Sequence, residues 1–161
     1  MQKEDKQRIE AYRKVLAELG KIKFSADIAE TKEGFLRKRV VARHFVFSSL
    51  EAAKNDKRQA TELMREINVH TKRIKEDIKS LRQMYSEKAA NVGSGSGFIG
   101  SVFGVKQRVI ESKANTKRQY ASERDARIKE YENVLNDFEK IIYSCNAVKS
   151  DAEDWIAQSK R

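Results

Sequence analysis

No proline interrupts the 161-residue chain, and five of its seven glycines, at 93, 95, 97, 100 and 104, crowd into one short window. Proline and glycine are the strongest local breakers of regular structure, and average usage of about 5% would place roughly eight prolines in a chain this long. Their absence leaves two long stretches, 35–91 and 105–160, free to run as helix. All-β sandwiches and barrels, which need frequent turns, are excluded, and the single cysteine excludes a disulfide framework. No run approaches 18 apolar residues, so no membrane-spanning helix is expected. The amino terminus carries no apolar leader-like stretch, and a cytoplasmic location is the expectation.

Helical periodicity is read directly. Ile9, Tyr12, Leu16 and Leu19 form one stripe ending at Gly20, a plausible stop. Residues 21–34 are ambiguous. Leu36, Val40, Phe47 and Leu50 read as a stripe interrupted by Arg43. From Ala60 through Met64, Ile67, Thr71, Ile74, Ile78 and Leu81 to Tyr85, apolar and small residues alternate at steps of four and three. That is the 3.5-residue period of a coiled coil. Ile128, Tyr131, Leu135, Phe138, Ile142, Cys145, Ala152 and Ile156 continue in kind.

The fold class expected is therefore all-α: one helical domain over 1–161, a long antiparallel hairpin with a short N-terminal helix. The apolar, glycine-rich loop 93–104 joins the long helices, each reaching about 85 Å at 1.5 Å per residue. A bend in the charged stretch Lys54–Arg58 would instead give a compact four-helix bundle. Folding about the glycine window sets Glu153 and Asp154 beside Arg37, Lys38 and Arg39.

Charge is uneven. The net +10 is concentrated in residues 68–129, which hold 14 Lys/Arg against 6 Asp/Glu, whereas 130–161 hold 4 against 7. Lys72, Arg73, Lys75, Lys79, Arg82, Lys113, Lys117, Arg118 and Arg124 are the candidate anion-binding surface. Solvated helix faces carry such charge as well, and the interspersed Glu76, Asp77, Glu87, Glu111, Glu123 and Asp125 dilute any stripe that would follow phosphates. Phe98, Ile99, Val102 and Phe103 form an apolar loop, unusual because loops are normally polar. It caps the hairpin end, or it contacts a partner or a lipid surface. The strict Gly/Ser alternation of 93–97 is also that of a flexible linker.

Gly95–Gly100 fits GxGxxG, but a heptad helix precedes it and no strand-like run stands where the dinucleotide motif needs one. His44 and His70 stand apart from any ligand cluster, and Cys145 sits on the seam as a small apolar residue, with Phe138 and Trp155 as core. No cofactor, metal site or catalytic grouping is expected. Non-enzymatic scaffolding through coiled-coil surfaces, with a protein partner or a second copy, is the leading expectation. Peripheral binding to anionic membrane follows, then nucleic-acid binding through the basic half. Basic two-helix coiled coils share this layout across many functions, and no motif selects one family.

Overall fold

The computed structural model describes the backbone of residues 2–35, 38–94 and 103–159 and, within them, the side chains outside 31–42 and 93–109. The elements in order are α1 (Lys3–Leu19), β1 (Asp27–Phe35), β2 (Lys38–Val46), α2 (Leu50–Ser94) and α3 (Phe103–Gln158). The fold is mostly helical, and α2 and α3 pack against each other. No described helix is long and apolar enough to cross a membrane. The chain forms two compact units, Met1–Ala11 with Lys72–Leu135, and Tyr12–Thr71 with Asn136–Arg161. The first holds the start of α1 and the second holds the β-strands.

Helix α1 ends where its stripe ends. The Gly20 N–H donates to the Leu16 carbonyl at 2.9 Å, and Lys21 and Ile22 then bond three residues back, tightening the last turn.

The second unit departs from the expectation of helix over 35–50. Residues 27–46 form an antiparallel hairpin, with Asp27 opposite Val46 and Phe35 opposite Lys38. Val40, Val41, Phe45 and Val46 are the β-branched and aromatic types that suit a pleated surface, which outweighs the loose helical spacing of Leu36, Val40, Phe47 and Leu50. Helix α2 begins only after Ser49, whose hydroxyl accepts the Ala52 N–H at 3.1 Å and whose carbonyl accepts the Ala53 N–H at 3.1 Å. That is an N-cap.

An isolated two-stranded hairpin is marginal in water, and here two carboxylates hold its base. Asp56 of α2 accepts the Ser25 hydroxyl at 2.9 Å and the Ala26 N–H at 3.0 Å. Asp151 of α3 accepts the Phe45 N–H at 2.6 Å. Phe47, buried, meets Trp155 edge to face with ring centroids 6.1 Å apart. Lys54–Arg58 does not bend the chain: α2 runs straight through it, Asp56 is buried, and Lys57 pairs with Glu153 at 3.0 Å. Lys57 holds the Glu153 carboxyl below its usual range by hydrogen bond and charge. Glu153 thus meets Lys57, whereas the side chains of Arg37, Lys38 and Arg39, expected beside it, lie outside the described residues.

On α2 the seam is as expected from Ala60 to Tyr85, with Leu63 buried and Met64 half-buried beside it. On α3 the buried positions are Ile128, Tyr131, Val134, Phe138, Cys145, Val148 and Ala152, whereas Leu135, Ile142 and Ile156 are half-buried. Val134 lies on the same side of α3 as Arg127, the side on which Asp5 of α1 is bonded. Consequently Val134→Asp should cost about 3 kcal/mol or more, and Leu135→Asp distinctly less. Thermal melts of the two variants check this; equal losses would mean the α3 register is wrong.

Candidate anion-binding face

In the first unit a buried ion pair fixes where α1 lies. The Arg127 Nη2 donates to Asp5 Oδ1 at 2.9 Å, and its Nε stands 2.6 Å from Oδ2 as a close charge contact without hydrogen-bond alignment. Arg127 Nη1 donates to the Tyr85 hydroxyl at 3.1 Å, and the Tyr131 hydroxyl donates to Asp5 Oδ1 at 3.3 Å. Both charged side chains are 7% exposed, so desolvation is large and the pair must be complete to be tolerated. Burial opposes the Arg127 charge, yet the bonds from Asp5 and Tyr85 outweigh it and hold the guanidinium firmly protonated. Arg8 of α1 adds a pair with Asp77 of α2 at 2.8 Å.

These contacts put α1 on one side of the α2–α3 pair. Arg82 and Glu132, 3.7 Å apart, mark the other side, where Arg82, Arg124, Asp125, Ile128 and Glu132 border one depression. Successive helical residues turn by about 100°. Lys72, Lys75 and Lys79 therefore share the Arg82 side of α2, and all four are exposed. On α3 the same turn places Lys117 about 20° from Arg124, and Arg118 and Lys129 on the outward arc about 120–140° round from it, all three exposed.

Eight cations thus lie on that side or on the outward arc beside it, and Asp125, Glu132, Glu76, Glu87 and Glu111 lie among them. Asp125 is engaged by Arg124 at 2.8 Å, and that contact raises the Arg124 pKa. Other acids turn toward α1: Asp77 is taken by Arg8, and Glu123 borders a cleft with Gln2, just before α1. Glu87 accepts the Gln83 amide at 3.0 Å. The dilution anticipated from sequence is thus reduced rather than removed. Two of the nine sequence candidates leave the face: Arg73 turns to the Asp77 side, and Lys113 is half-buried toward the seam. Lys129 joins it.

Phe98, Ile99 and Val102 lie outside the described residues, as does the Phe103 side chain at the start of α3. Gly95–Gly100 lies there too. His70 stacks on Phe138 at 5.9 Å and 9°, an aromatic core partner, and His44 is half-buried in β2. Cys145 is fully buried, and burial pushes its thiol up. Among the described residues no group of three His, Cys, Asp or Glu is placed to hold a metal.

The second unit carries an apolar groove of about 470 Å³. It is lined by Leu19, Ile22, Phe24, Ile28, Phe45, Leu63 and Ile141, with Lys23, Lys140 and Ser144 as polar members. Neither the groove nor the hairpin was legible beforehand, since β1 falls in the ambiguous stretch 21–34 and the spacing of β2 read as helical. Comparison with protein-family models, curated proteins and solved structures finds no match to this chain.

The Tyr131 hydroxyl gives a titration. Burial, then the Asp5 carboxylate, raises its pKa well above the usual value near 10. A group whose folded pKa is raised stabilises the fold fully below its unfolded pKa, and that contribution is lost as pH climbs. Absorbance titration should show one tyrosine resisting ionisation above about pH 10 until the protein unfolds, and Tyr131→Phe should remove that one. Loss of a normally titrating tyrosine instead would contradict the buried contact.

Proposed function

We propose that the protein is a non-enzymatic binding protein that holds an anionic macromolecule against the cationic face opposite α1. The supporting observation is partial sorting of charge: eight Lys/Arg on the side of the α2–α3 pair away from α1 or the arc beside it, with Asp125 and Glu132 paired to arginines and Asp77 and Glu123 turned to the α1 side. Charge that merely solvates a helix needs no such sorting, whereas a polyanion is repelled by each unmatched carboxylate. Labelled heparin, a polyanion without sequence, should bind at about 50 mM salt and be released as salt rises. Replacing Lys75, Lys79 and Lys117 together by Gln should weaken it at least about ten-fold, because each cation lost removes one released counterion. No binding at low salt would leave the face simply hydrated.

The groove of the second unit supports a second function, docking of a protein partner. Its apolar lining and its lysines, Lys23 and Lys140, suit an acidic amphipathic segment. An acidic amphipathic peptide should bind by fluorescence anisotropy, its charge-reversed counterpart should not, and Ile28→Asp should abolish the signal. Ile28 is 63% exposed, so that substitution leaves the core intact.

A further inference from the structure

Resting on the cationic-face reading, we infer that the polyanion is double-stranded nucleic acid, held through its phosphates without base readout. Three observations separate this ligand from other polyanions.

The first is layout. The cations form two rows, Lys72 to Arg82 on α2 and Lys117 to Lys129 on α3. Axes of packed helices stand about 8–10 Å apart. The phosphate strands of a duplex flank grooves about 6 and 12 Å wide, so the rows and the strands share a scale. Each row rises about 15–18 Å, and a duplex presents one charge per roughly 1.7 Å of axis. One row's length of duplex therefore offers more phosphates than all eight cations can neutralise.

The second is the direction of the aromatic rings. Single-stranded nucleic acids are held by bases stacked on exposed aromatic side chains. Here Tyr85 and Tyr131 are buried, and the half-buried Tyr120 lies edge-on to Tyr85 at 6.4 Å, so these rings serve the seam. Lys88 and Arg127 also lie over the Tyr85 ring, at 5.0 and 5.5 Å. A stacked duplex needs no aromatic platform.

The third is apolar exposure. Binding in a lipid interface scales with buried apolar area as well as charge. Among the described residues of this unit, Ile110 is the one large apolar side chain that is strongly exposed. The described surface of this unit is thus far richer in cations than in exposed apolar side chains, as an electrostatic contact requires.

The test titrates the full chain with a labelled 20-base-pair duplex of random sequence, the corresponding single strand, heparin, and phosphatidylserine vesicles. About six phosphate contacts among the eight cations would give a slope of log K against log salt near −5 for the duplex, so affinity falls roughly a thousand-fold from 50 to 200 mM salt. The duplex should bind more tightly than the single strand. Lys72→Gln/Lys79→Gln should reduce the slope by about 2, whereas Arg73→Gln, next in sequence but on the α1 side, should leave it unchanged. Circular dichroism confirms that these surface variants stay folded. Binding of heparin or vesicles without the duplex, or a single strand bound as tightly as the duplex, overturns the inference and leaves the broader reading standing. Binding to none of the four overturns both. Equal losses from Arg73→Gln and Lys72→Gln would show that charge alone, and not this face, makes the contact.

Discussion

In the first unit the buried pair of Asp5 and Arg127 decides everything else. An arginine inside a helical seam is among the costliest side chains to desolvate, and removing one partner of such a pair typically costs about 3–5 kcal/mol. The carboxylate that satisfies it comes from α1, 122 residues away in sequence. Helix α1 has few apolar residues of its own to bury here, Ile9 being the buried one in this unit. The ion pair therefore fixes the side on which α1 docks, and that docking turns Asp77 and Glu123 away from the cations across the seam. One internal charge contact thus arranges the outer electrostatics.

The parts of the fold legible in the sequence were those governed by a single period. The seam from Ala60 to Tyr85 is buried as its spacing requires, and Gly20 ends α1 as its position suggests. The hairpin was illegible for two physical reasons. The two residues between its strands in sequence are Leu36 and Arg37, not the glycine or asparagine that tight hairpins favour. Its strands also lack strict alternation, because what secures them is the distant carboxylates Asp56 and Asp151. On α3, Leu135 and Val134 are equally apolar neighbours, and spacing alone does not choose between them.

For the candidate face, seven of nine cations were identifiable from charge density, but their common side was not. Arg73 and Lys72 are adjacent basic residues about 100° apart on α2, and only the α1 contacts reveal which of them stands nearer α1. Those of the diluting acids that turn toward α1 could be discounted only once their partners were known. Arg8 and Gln2, which claim or flank them, lie far away in sequence.

Cys145 gives the second unit an internal gauge. It is the chain's one thiol, wholly buried on α3. A maleimide or disulfide reagent can reach it only when that packing opens, so its labelling rate in native buffer measures the free energy of opening. Titrating an acidic peptide into the groove beside Ile141 and Ser144, on the same helix, would slow that rate if the bound form were more tightly closed. The lone cysteine thus allows breathing of the hairpin-bearing half to be timed without introducing a foreign probe into the fold.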